Sequence, residues 1–175
     1  FAATNTNSNL FSTLSKQSST VTLAIILNIL SSSDDKMDLF YVIMPTMERL
    51  LALDTETTGL EISEGHRIIE VAAIEILDRE ITGNIFHEFI QPNRTVGESV
   101  NVHRITDRDL INKPQFKQIS DEFLSFIEGA TLVIHNAPFD LGFLNNELKI
   151  IGIKETIESA CTVIDTLAES RKNSE

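Results

Sequence analysis

Basic side chains are scarce in this sequence: 14 Lys and Arg stand against 26 Asp and Glu, a formal net charge of −12. A surface built to coat phosphates is basic, so this balance argues against a general nucleic-acid-coating role. Carboxylates can still meet phosphates when divalent cations stand between them. Cysteine is nearly absent too. Cys161 alone leaves no internal disulfide to form and suits a reducing compartment. No apolar run reaches the length of a membrane span, and no arginine occurs in residues 1–46, so a mitochondrial presequence is poorly matched. What remains is a chain of 175 residues, 42% hydrophobic and 23% charged, long enough for one domain with a proper core.

Composition breaks near residue 46. The segment 1–46 is rich in Ser, Thr and Asn, and its only charges are Lys16, Asp34, Asp35, Lys36 and Asp38. Within it, Val21–Leu30 is apolar and of signal-peptide core length, but one lysine precedes it and three serines follow, a partial match. The expectation is that 1–46 is an upstream, disordered extension and that 47–175 is the domain, with Met47 as its natural start.

From Met47 the pattern is regular. Leu50–Leu53 reads as a buried strand that ends in Asp54 and Glu56, one residue apart and therefore on one side of it. Thr57, Thr58 and Gly59 read as the turn that leaves it. Arg67–Leu77 is a second strand, a turn with Gly83 follows, and Ile85–Pro92 alternates as a third. Short connections make these three an antiparallel meander. Asp121–Gly129 has helical spacing, Thr131–Asn136 is a short buried strand, and Pro138–Gly152 opens with proline and closes with glycine as a helix does. Cys161–Leu167 reads as a fifth strand passing into a helix. The class is mixed α/β.

Asp54 and Glu56 carry like charges on one rigid element, which calls for a cation, a shared proton or screening water. Asp140 falls in the first turn of a helix, where the dipole alone would favour an anion. Taken singly, each motif has a structural explanation; together, each at the carboxyl end of a buried strand, they shift the odds towards a functional site. Of the histidines, His66 reads as a loop residue, His87 as a strand residue, and His135 as a residue that orders the second motif by hydrogen bonding.

The stretches LALDTETTGL, GHRIIEVAAIEI, ESVNVHRIT and LVIHNAPFDLGFLNNEL resemble the DnaQ-like, DEDD-type 3′–5′ exonucleases, the proofreading branch above all. The likeness runs from about Met47 to residues 165–172. It implies a ribonuclease H-like fold, a mixed five-stranded sheet flanked by helices. It also implies that Asp54, Glu56 and Asp140 are catalytic and hold two divalent cations, Mg²⁺ or Mn²⁺, with Asp54 bridging both and Glu56 also touching the terminal nucleotide. Glu98 and His103 match the segment that binds the substrate end, although Arg104 stands where the family usually has glycine. In the family pattern a general-base histidine and a fourth aspartate follow on further helices. Neither occurs before Glu175, so the expectation is an incomplete domain whose second ion is held poorly and whose own activity is weak or absent. The implied partners are a single-stranded DNA 3′ end and a polymerase catalytic subunit, with no membrane, in the bacterial cytoplasm. A non-catalytic binding module and an RNA-trimming exonuclease stay open as alternatives.

Overall fold

The computed structural model describes residues 49–78 and 80–172, all within the unit Met47–Glu175; the expectations for residues 1–46 lie outside the described residues. Strand β1 is Arg49–Thr57, β2 is Ile68–Leu77 and β3 is Glu80–Phe89. A short helix α1, Val100–His103, and a longer α2, Phe116–Ile127, precede β4, Thr131–Ile134. Helix α3 is Ala137–Ile150, α4 is Ile157–Ala160, β5 is Thr162–Asp165 and α5 is Thr166–Lys172.

The sheet order is β3-β2-β1-β4-β5. The β1–β2 and β2–β3 pairs are antiparallel, whereas β4 runs parallel to β1 and β5 parallel to β4. That is the expected meander with two further strands added through helical crossovers. Two boundaries differ from the sequence reading. The chain turns back at Asp78, which has φ +50°, so β3 begins at Glu80 rather than Ile85. Gly83, read as the turn, lies inside β3 at φ +88°, where the register slips from Ile74 opposite Ile85 to Ile76 opposite Ile81. Glycine marks an irregularity in the strand here, not its start. Helix α2 begins five residues before Asp121, because Gln118 Oε1 accepts the Gln115 N–H at 2.8 Å and so closes its first turn.

Residues 116, 119, 120, 123 and 127 face inward along α2, the spacing of one helical face. Phe116, Ile119, Phe123 and Ile127 meet Leu51, Leu53, Val71, Ala73 and Phe86 of the sheet in one buried cluster that also takes Phe143 and Leu144 from α3. Phe123 lies 5.4 Å from Phe86 and 6.2 Å from Phe116, ring centre to ring centre. Ile68 joins this cluster, while its neighbour Ile69 packs with Val96, Ile105 and Leu110, as side chains one apart on a strand must. The connection from β3 to α2 therefore covers the opposite face of the sheet. Cys161 is buried and donates through Sγ to the Ile127 carbonyl at 3.0 Å, a structural role.

Helix α3 is fastened at two levels. Asp140 and Glu147, seven residues apart, are both buried on its inner face. Glu147 takes a bidentate bond from Arg67, with Nε and Nη2 each at 2.6 Å, and accepts the Ile68 N–H at 3.3 Å. This joins the last turn of α3 to the start of β2. Arg67→Ala would leave a fully buried carboxylate without its guanidinium and is expected to cost about 3–5 kcal/mol. Urea unfolding should show that loss, and Arg67→Met/Glu147→Leu should recover part of it. A single variant as stable as the parent would contradict this account.

Candidate active site

Asp54 and Glu56 are half-buried and alternate with buried Thr55 and Thr57, so the two carboxylates share a face of β1 near its carboxyl end. Pairing between β1 and β4 stops at Ala52 opposite Val133. Beyond it β1 runs on alone on that side. Asp140 fills the gap. Asn136 turns the chain out of β4 in the left-handed region, φ +65° and ψ +49°, which Asn tolerates better than most residues. The turn places Asp140 in the first turn of α3, where Oδ1 accepts from the Thr55 N–H at 3.0 Å and the Thr55 hydroxyl at 2.7 Å. The second motif is thus bonded directly to the residue between the two carboxylates of the first.

Asp140 is 3% exposed. Burial pushes its carboxyl up to about 6, the Thr55 bonds oppose that rise, and the Glu56 charge adds to it. A carboxylate cluster that burdens its buried member in this way is relieved by a cation. All three donors are hard oxygens, the chemistry of Mg²⁺ and Mn²⁺. Among the described residues, however, no group of three His, Cys, Asp or Glu side chains is arranged to hold a metal ion. The donor set suits such an ion, while Oδ1 of Asp140 is turned onto β1.

Glu56 also borders a cleft of about 610 Å³ that takes in Glu98, His103, Leu60, Val102 and Phe139. Glu98 and His103, expected at the substrate end, therefore face the same space as Glu56; Asp54 and Asp140 are not among the residues that line it. His103 holds one tautomer. The Ile105 N–H donates to Nδ1 at 3.0 Å, so the proton sits on Nε2, which donates to Ser99 Oγ at 2.9 Å, and Ser99 donates on to the Val96 carbonyl. Burial pushes the His103 imidazole below its ordinary value, against the Glu70 charge and the Thr57 carbonyl. Leu60 and Val102 are 76% and 78% exposed, apolar groups at the cleft with no protein covering them.

Sequence reasoning missed several members of this region. Glu70 lies opposite Glu56 across the β1–β2 pair, is 2% exposed, and meets His87 Nε2 at 2.6 Å through Oε1. A glutamate inside the apolar run RIIEVAAIEI was the available signal. His66 lines the cleft too, its ring so close to Gly59 that a Cβ there would sit 2.3 Å from it. His135 bonds Thr166 at 3.1 Å rather than the second motif itself. The second motif is instead tied by Asp165, whose Oδ1 accepts from Asn136 N at 3.1 Å and Leu167 N at 2.9 Å.

The Asp140 shift has a definite sign in stability. The unfolded carboxyl titrates near 4 and the folded one near 6. Between these values the folded state holds more protons, so stability is full below about pH 4 and falls as pH rises to about 6. Relative to Asp140→Asn, the parent chain should lose on the order of 2–3 kcal/mol across that window. Denaturant unfolding at a series of pH values tests this, and parallel curves for the two proteins would refute it.

Comparison with known proteins follows from this geometry. The RNase_T family, described as exonuclease, matches residues 51–174. DNA polymerase III subunit epsilon of Buchnera aphidicola from Acyrthosiphon pisum is 48% identical over 130 residues, 71% of this chain and 55% of that protein. The subunit of the same name from Escherichia coli K12 is 47% identical over 131 residues, 71% and 54% of the two chains. This chain spans about half the length of the curated relatives it matches. Among solved structures, the metal-free complex of E. coli ExoI with single-stranded DNA aligns at TM-score 0.58 with 17% identity, over 71% of this chain and 29% of that one. The nuclease domain of 3′hExo, a DEDDh family member bound to rAMP, aligns at 0.53 with 18% identity, over 62% of each. At such identities these likenesses speak for the fold, which is ribonuclease H-like as expected.

Proposed function

This chain belongs to the RNase_T exonuclease family, and from that premise we propose that it carries the active-site region of a metal-dependent 3′–5′ exonuclease. Its substrate is the 3′ end of single-stranded DNA, and its role is the proofreading one of a DNA polymerase III epsilon-type subunit. The observation that supports this most is the bond from Asp140 to Thr55, which brings the two acidic motifs together beside a cleft.

Asp54, Glu56 and Asp140 would hold the cations, Mg²⁺ or Mn²⁺. When bound, such ions supply Lewis acidity toward a phosphoryl oxygen and lower the pKa of coordinated water. The chain's own residues supply position. Glu56 stands where the carboxylate cluster meets the cleft, so it can touch both an ion and the terminal nucleotide. Glu98 accepts hydrogen bonds from the sugar end. His103, fixed in one tautomer by Ile105 and Ser99, offers a flat ring at the cleft wall. Leu60, Val102 and Phe139 give a base an apolar surface, and removing that surface from water favours occupancy. A replicative polymerase subunit is the partner that goes with this role, in a bacterial cytoplasm. Among the described residues no helix is long and apolar enough to cross a membrane.

A 5′-labelled single-stranded oligonucleotide incubated with Mg²⁺ or Mn²⁺ should shorten one nucleotide at a time from its 3′ end, and EDTA should stop it. Asp54→Ala and Asp140→Ala should each lower the rate about a hundredfold or more, since losing a cation's charge stabilisation removes several kcal/mol. Internal cuts, EDTA-resistant cutting or full activity in both variants would reject the proposal. Equal rates on RNA would move the substrate class from DNA to single strands in general.

A further inference from the structure

The cleft is to receive a polyanion, yet its own formal charges are mostly negative. Glu56 and Glu98 line it, and Arg94 is the one Lys or Arg among the lining residues. Elsewhere among the described residues, four cations have partners of their own. Arg49 pairs with Glu75, Arg67 with Glu147 and Lys172 with Glu169, while Lys113 lies over the Phe89 ring. Arg94 makes no ion pair among the described residues. Its Nη1 donates to the Glu64 carbonyl at 3.2 Å, a backbone contact that anchors the guanidinium at the cleft without neutralising it. The group is half-buried, and a guanidinium has five N–H donors, of which this bond uses one.

Place in the cleft decides what Arg94 can meet. Thr55, bonded to Asp140, brings the carboxylate cluster to the lining. Arg94 is held by a different segment, the Glu64–Gly65 backbone, next to the His66 ring that covers Gly59. The phosphate being cut belongs with the carboxylates, and Arg94 is anchored apart from that cluster's own contacts. We infer that Arg94 forms a second phosphate subsite, one that binds a phosphate of the strand other than the phosphate being cut. This rests on the exonuclease reading and adds a residue that neither acidic motif nor the Glu98–His103 segment contains. An anchored guanidinium suits that work, because it can bind phosphate through two parallel donors where an ammonium acts as a point charge. Two phosphates have this chemistry: the next one along the strand, and a phosphate on the 3′ terminus itself.

The test is equilibrium binding of short single-stranded oligonucleotides to the full chain, read by fluorescence anisotropy in Ca²⁺ and again in EDTA. Arg94→Gln should weaken binding about tenfold, the worth of one charge-assisted contact. It should also flatten the dependence of log K on log salt by about 0.7, the slope for one single-strand phosphate. Arg94→Lys should keep the slope and recover part of the affinity, and an unchanged melting temperature would show that each variant is folded. Titration with a dinucleotide ending in 3′-OH, a trinucleotide and a dinucleotide 3′-phosphate then separates the sources. The first offers only the phosphate to be cut, and Arg94→Gln should leave it unaffected. A loss confined to the trinucleotide identifies the next phosphate along the strand, and one confined to the 3′-phosphate identifies the terminal group. Equal losses on all three ligands, or no change in affinity and slope, overturn the subsite while leaving the exonuclease reading standing. Failure of the unmutated chain to bind any oligonucleotide removes both.

Discussion

Everything at the candidate site depends on the bond between Asp140 and Thr55. Sheet pairing creates the need for it. Since β4 leaves β1 after Ala52, the Thr55 N–H points into a space where no strand supplies a carbonyl. A buried amide left there would cost about as much as a lost hydrogen bond. Asp140 Oδ1 takes that amide and the hydroxyl on the same residue. The site thus reuses an edge that the sheet topology leaves open, at the carboxyl ends of two parallel strands, where open α/β sheets commonly bind ligands. Chemistry and fold cannot be separated here, because the carboxylate that would serve the first also completes the second.

That economy has an electrostatic cost, visible in the neighbours. Glu56 lies opposite Glu70 on the adjacent strand, a like-charge pair of the kind that destabilises a sheet. Glu70 is buried, one oxygen bonded to His87 and the other, Oε2, without a hydrogen-bond partner. Glu147, on the same face of α3 as Asp140, is neutralised by Arg67. Away from the cleft Glu147 and Glu70 are bonded to Arg67 and His87, while at the cleft the Glu56 charge adds to the cost of ionising buried Asp140. Local rules of charge placement fail where function is proposed and hold elsewhere, the pattern expected when stability is yielded for a site.

Much of this could be read from local sequence, and the remainder could not for identifiable reasons. Alternation put Asp54 and Glu56 on one side of a strand, proline near its start and a glycine at its end marked α3, and the order of elements announced a mixed sheet. These signals act over a few residues. The β3 boundary was misread because Gly83 serves a strand irregularity and a turn equally well, and only the pairing with β2 distinguishes them. The partners of Asp140, Glu147 and Glu70 lie 85, 80 and 17 residues away in sequence, beyond any periodicity. The cleft gathers residues from the end of β1, the turn after it and the connection after β3. His66 and Arg94 could be placed there only once those segments were folded together.

Arg104 shows how such a site tolerates a departure from its family's pattern. The position after the cleft histidine sits at φ +67°, where glycine is at ease and a side chain costs on the order of 1–2 kcal/mol. Arginine occupies it, and the turn keeps its shape. The reason is what the turn does. With Arg104 in the left-handed region, its N–H returns to the Val100 carbonyl and the next N–H, on Ile105, reaches His103 Nδ1. Those two bonds end α1 and fix the proton of His103 on Nε2, while Ile105 is held in the buried cluster with Ile69. The strain at one residue is thus outweighed by contacts on both sides of it. The imidazole's orientation follows from backbone that packing already constrains, and the identity of residue 104 is left free to vary at a modest cost.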